Sequence, residues 1–132
     1  MTSPNPNSAD AFSILIANRG EIAVRIARAA AELSIRSVAV FSTDDERSLH
    51  RKTADADCPL RGAGARAYLD IDALIDAAAR TGCTAIHPGY GFLSENAEFA
   101  RRCEAAGLLF IGASPRVLDL FGDKGQAREL AR

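Results

Sequence analysis

The chain has 132 residues, 48% of them hydrophobic, which suits one globular domain and excludes a disordered chain. Sixteen basic residues against seventeen acidic ones give a net charge of -1, which excludes the basic excess expected of a nucleic-acid or anionic-membrane binder. Three cysteines (Cys58, Cys83 and Cys103) with no CxxC pair exclude a disulfide framework or a zinc site, and they read as reduced, buried, small apolar residues.

Met1 to Asp10 carries prolines, asparagines and serines with neither a basic nor an apolar segment, so it reads as a flexible tail and not a signal peptide. No apolar run approaches the roughly 18 residues of a membrane span, and the expected compartment is the cytoplasm. Ser13 to Ala17 is a short, continuously apolar run, the pattern of a buried parallel strand. Helical spacing follows from Glu21 to Leu33, with Ile22, Ile26, Ala30 and Leu33 on one stripe and Arg25, Arg28 and Glu32 on another. Ser37 to Phe41 is β-branched and short enough for a second strand. Ser42 to Lys52 is polar with room for a short helix. A brief strand is expected near Cys58 to Leu60, then a Gly/Ala-rich loop over Arg61 to Ala67.

Asp70 reads as the N-cap of a helix that Gly82 terminates. Thr84 to Ile86 is a strand, Ser94 caps a helix ending at Gly107, and Leu108 to Ile111 is a further strand. Ser114-Pro115 opens another helix that Gly122 ends, and Asp123 caps a last one running to Arg132. This βαβα alternation predicts an α/β fold: a Rossmann-like open parallel sheet of about five strands with helices on both faces. Ligands of such sheets sit beyond the C-terminal strand ends. Three polar loops fall there: Asn18-Arg19-Gly20-Glu21, Ser42 to Asp45, and His87 to Asn96.

At Asn18-Arg19-Gly20-Glu21 a helix N-terminus favours an anion, but one glycine does not make a dinucleotide fingerprint. The competing reading is a tight turn with Arg19 paired to an acid. In His87-Pro88-Gly89-Tyr90-Gly91-Phe92-Leu93-Ser94-Glu95-Asn96 two glycines flank Tyr90 after a proline, which fixes a loop path carrying an aromatic hydroxyl, a histidine and a carboxylate. A rigid turn in which Tyr90 merely packs is the alternative. Two histidines do not make a metal site, and His87 reads as an orienting hydrogen-bond partner. Gly122-Asp123-Lys124 puts a lysine at a helix start, where it meets a phosphate, a base edge or only solvent.

Taken together, these segments resemble the biotin carboxylase family. The resemblance is carried by Ile14 to Ala23, by Ser48-Leu49-His50 with Ala54-Asp55, by Ala85 to Asn96, and by Phe110-Ile111-Gly112 followed by Gly122-Asp123-Lys124. The segment after Asp55 is shorter than in many members, and Ala113 stands where proline is frequent. The resemblance implies a pre-ATP-grasp domain over residues 12–122, after a tail over 1–11. Residues 123–132 would begin a linker helix toward an ATP-grasp domain beyond Arg132. It implies that ATP activates bicarbonate as carboxyphosphate, with Mg2+ or Mn2+, and that carbon dioxide reaches biotin on a carboxyl carrier domain. A carboxyltransferase domain or subunit is the implied further partner.

By the same resemblance Lys124 contacts ATP. Tyr90 and Gly91, with His87, face the biotin and bicarbonate site, and Glu95 and Asn96 brace that loop. Arg28 and Glu32 fall at a homodimer contact. The glycine-rich phosphate loop, the metal-binding carboxylates and the catalytic arginine would lie past Arg132, so no catalytic residue, no metal ligand and no tightly bound cofactor is expected in this chain. Two other readings are a free-standing interaction module on the same scaffold and a carbamoyl-phosphate-synthetase-type ligase.

Overall fold

A computed structural model describes residues 12–112 together with Leu118. Strands β1 (Ser13–Ile16), β2 (Arg36–Phe41), β3 (Ala56–Pro59), β4 (Ala85–His87) and β5 (Leu109–Phe110) alternate with helices α1 (Gly20–Glu32), α2 (Leu49–Thr53), α3 (Ile71–Thr81) and α4 (Ala97–Ala105). Every strand pairing is parallel, in the order β3-β2-β1-β4-β5. The expected open α/β sheet is therefore observed.

Alternate residues explain its two covered faces. Leu15, Val38, Val40 and Ile86 point to one side and pack with Leu74 and Ala77 of α3 and Phe99 and Cys103 of α4. Ile14, Ile16 and Ala85 point to the other side and meet Ala23 and Ala27 of α1. All four β1 residues are buried, as a central parallel strand requires. The three cysteines are buried and unpaired.

Several boundaries differ from those read in the sequence. The third strand begins earlier, at Ala56, because its register runs from Val38↔Ala56 to Phe41↔Pro59. Pro59, which lacks an N–H, is tolerated at the end of this edge strand. The Gly/Ala-rich loop leads into a 3-10 turn over Ala65–Leu69 that buries Tyr68 completely.

The buried face of α1 is Ala23, Val24, Ala27 and Ala30, so of the predicted stripe only Ala30 is buried, Ile22 and Ile26 are half-buried, and Leu33 is 70% exposed. Small side chains let the helix lie close to the sheet, so the larger Ile22 and Ile26 flank the contact. Asp70 does cap α3, accepting from the Ala73 N–H at 3.0 Å, and Gly82 ends it at φ +74°. The cap of α4 is Asn96, two residues beyond the expected Ser94: its Oδ1 accepts from the Phe99 N–H at 2.8 Å. The tail, the helices expected from Ser114 and Asp123, Ala113 and Lys124 lie outside the described residues.

Candidate functional site

The chain steps outward from β1 to β2 and β3, then returns to the other side of β1 with β4. The order thus reverses between β1 and β4, and loops leaving that point splay apart into a crevice. The two loops that open there are Asn18 to Glu21 and His87 to Asn96. They are roughly 70 residues apart in sequence and meet only because β1 and β4 are neighbours.

Asn18 is 1% exposed and bridges them. Its Nδ2 donates to the carbonyl oxygens of Pro88 and Tyr90, both at 2.7 Å, while its Oδ1 accepts from the Arg19 N–H at 2.8 Å. Gly89, between the two carbonyls, has φ +67°. A Cβ at that position would stand 2.7 Å from Ile22 Cγ2 and 2.8 Å from Asn18 Nδ2, so only glycine fits without displacement. On the far side of the loop the Phe92 ring packs on Tyr68, with centroids 5.4 Å apart. Between these two holds the Tyr90 side chain is 77% exposed.

Glu95 and Asn96, expected to brace this loop, stand at its C-terminal end. Glu95 is exposed, and the Asn96 side chain caps α4. The grip on the carbonyls comes from Asn18, which the sequence marked only as part of a helix N-terminus. Tyr68 carried no sequence signal at all.

Arg19 follows the tight-turn reading. Its guanidinium forms a two-pronged pair with Asp45, each N···O at 2.5 Å. Asp45 is 4% exposed and also accepts from the Tyr68 hydroxyl at 2.6 Å. The Arg19 hydrogen bonds hold its carboxyl down at about 2. Burial, reinforced by the hydrogen bond to Asp45, pushes the Tyr68 phenol up to about 12. The tyrosine accepts in turn from the Ser42 N–H at 3.1 Å. The loops after β1 and β2 are thereby tied together beneath the crevice.

His87 is half-buried at the end of β4. Its Nδ1 accepts from the Gly89 N–H at 3.1 Å, so the neutral ring carries its proton on Nε2. Burial lowers its pKa below the ordinary 6.5. The folded state favours neutral imidazole, so the His87 contribution to stability is complete above the unfolded pKa and shrinks as pH falls through it toward the folded value. Denaturation midpoints are expected to drop as pH falls below the ordinary histidine value of 6.5, with a smaller drop in His87→Gln. Equal drops in both proteins would remove His87 from the account.

From this point an open groove of about 820 Å3 runs along α1. Tyr90 and Ile22 line it at one end, and Leu33 and Ile35 at the other. Arg28 and Glu32 are exposed on α1, and among the described residues no ion pair joins them. Among the described residues, no group of three or more His, Cys, Asp or Glu side chains could hold a metal.

Residues 11–118 match the family described as the biotin carboxylase N-terminal domain. Over 121 residues the chain is 58% identical to a pyruvate carboxylase of Bacillus subtilis (strain 168), covering 89% of this chain and 10% of that protein. The solved biotin carboxylase domain of a single-chain bacterial carboxylase aligns with a TM-score of 0.85 and 57% identity, over 91% of this chain and 28% of that one. A single-chain, multi-domain long-chain acyl-CoA carboxylase aligns with a TM-score of 0.85 and 56% identity, over 89% and 12% of the respective chains. The chain spans about a tenth of the length of the curated relatives it matches.

Proposed function

The chain belongs to the biotin carboxylase N-terminal domain family, and from that premise we propose that it forms one wall of the site where carrier-borne biotin is carboxylated in an ATP- and bicarbonate-dependent reaction. The observation that carries this reading is the Tyr90 ring, exposed on a loop held from both sides at the sheet's reversal point. Such a ring, beside a Gly91 whose missing side chain leaves open space, fits the approach of a flat bicyclic group. When bound, biotin supplies the ureido nitrogen that accepts carbon dioxide. Tyr90 and Gly91 supply surface and orientation, and His87 holds the loop's first turn through Gly89.

The phosphate chemistry belongs to other parts of a longer protein. Phosphoryl activation needs cations and metal ions clamped on the phosphates, and the chain spans about a tenth of the length of the relatives that share this domain. We assign ATP contact to Lys124, as the resemblance implies, with Mg2+ held elsewhere. A carrier domain, a carboxyltransferase and a second copy meeting Arg28 and Glu32 are the partners of this reading. Residues 12–122 are, in this proposal, the pre-ATP-grasp unit itself, followed by a linker helix. A domain similar to parts of both a pyruvate carboxylase and a long-chain acyl-CoA carboxylase leaves acceptor choice to another domain. Cytoplasmic residence completes the proposal, supported by three unpaired thiols.

The 132-residue chain alone is expected to show no bicarbonate-dependent ATPase, and calorimetry should find ATP binding weaker than micromolar. Micromolar affinity would overturn the division of labour. In a carboxylase carrying this domain, Tyr90→Ala should raise the KM for free biotin about tenfold, the loss expected from a stacking surface. Lys124→Ala should raise the KM for ATP more than that for biotin. Equal changes in both would remove Lys124 from the ATP site.

A further inference from the structure

We propose that Asn18 is a positioning residue: its buried carboxamide sets where the Tyr90 loop stands over the crevice between β1 and β4. The inference rests on the reading of that loop as a biotin-facing wall, and it adds a residue from a different part of the chain.

The hydrogen-bond inventory at this spot admits one side-chain type. Two carbonyl oxygens, of Pro88 and Tyr90, need donors, and the Arg19 N–H needs an acceptor in the opposite direction. A carboxamide has two N–H donors on one atom and an oxygen on the other. Aspartate offers no donor when ionised, leucine offers nothing, and glutamine is one methylene too long for a site with 1% exposure. The bond to Pro88 is buried and the bond to Tyr90 partly so, so losing the donors leaves the Pro88 carbonyl unsatisfied and favours an opened loop.

The loop shows the matching adaptation. Gly89 is the residue that a Cβ would drive into Asn18 Nδ2, so glycine and asparagine are fitted to each other. The second hold runs through the same turn. Arg19, whose N–H Asn18 accepts, pairs with Asp45; Asp45 accepts from Tyr68; and Tyr68 packs on Phe92 at the far end of the loop. The contacts form a closed circuit from Asn18 back to the loop, with the exposed Tyr90 between its two ends. Removing the Asn18 donors opens the circuit at its start and leaves the Phe92 end attached.

The test uses Asn18→Asp, which keeps the shape and removes both donors. In the 132-residue chain, amide exchange at Gly89, Tyr90 and Gly91 should accelerate at least about tenfold while β1, β2 and α3 amides stay within about twofold. In a carboxylase carrying this domain, the same substitution should raise the KM for free biotin about tenfold and leave the KM for ATP within about twofold. Unchanged loop exchange overturns the proposal.

So does loosened exchange with an unchanged biotin KM when Tyr90→Ala raises it, because the loop's position would then not matter to the ligand. If neither variant moves the biotin KM, the wall assignment fails and takes the positioning role with it, while the exchange result still reports the clamp itself. Should Asn18→Asp not fold, Gly89→Ala pushes on the same carboxamide from the loop side and should give the same pattern. A carboxylase with unaltered biotin KM in Gly89→Ala would overturn the proposal.

Discussion

Asp45→Ala is expected to lower the unfolding free energy by about 3 kcal/mol. The carboxylate is 4% exposed and receives three hydrogen bonds, two from Arg19 and one from Tyr68. Arg19 is nearly half exposed, and water replaces most of what it loses. The Tyr68 hydroxyl has no such recourse, because Tyr68 is fully buried. Most of the cost therefore falls on the tyrosine, whose buried hydroxyl keeps the Ser42 N–H as donor but loses its own acceptor. The carboxylate also predicts an acid limb. Its folded pKa, about 2, is depressed from 3.8, so its stabilisation is complete above pH of about 4 and lost as pH falls toward about 2. The amount at stake is about 2 kcal/mol. Urea midpoints of the native chain should fall across that window, and those of Asp45→Ala should be flatter. Parallel curves would exclude the carboxylate as the cause.

Phe99→Ala should cost about 3–5 kcal/mol, a large share of the roughly 5–15 kcal/mol that holds a domain of this size together. Phe99 is fully buried and meets Phe110 edge to face, with ring centroids 5.6 Å apart at 87°. It links α4 to β5 at the edge of the sheet. Removing it leaves a void between α4 and β5. Phe99→Leu keeps most of the volume and should cost less than about half as much. Circular dichroism in urea reads both. A cost below about 1 kcal/mol for Phe99→Ala would show that α4 settles onto the sheet and closes the void.

What could be read ahead of the structure follows the physics of each element. Ser13–Ile16 and Ser37–Phe41 were legible because strands buried on both faces are apolar without interruption. Asp70 and Gly82 were legible because caps are local chemistry. The α1 face was less legible, because spacing favours the bulky Ile22, Ile26 and Leu33 whereas alanines make the contact where a helix lies close to a sheet. The Asn18 clamp was hidden for a different reason. It depends on β1 and β4 being neighbours, a fact of strand order and not of spacing. Asp45 sits in a loop marked as polar, but its partner Tyr68 lies between the Gly/Ala-rich loop and the Asp70 cap, where no pattern marks it.

Strand order also decides how the molecule can be made. β1 is central, with β2 on one edge and β4 on the other. On a ribosome its first partner follows within some twenty residues, but its second follows only after about seventy. At roughly 5–20 residues per second, the open edge of β1 waits several seconds for β4. Throughout that interval a strand that is apolar but for Ser13 presents unpaired backbone groups to any neighbouring chain. The loop that Asn18 grips is synthesised directly after β4, so the act that finishes the crevice also closes the most adhesive surface of the nascent domain.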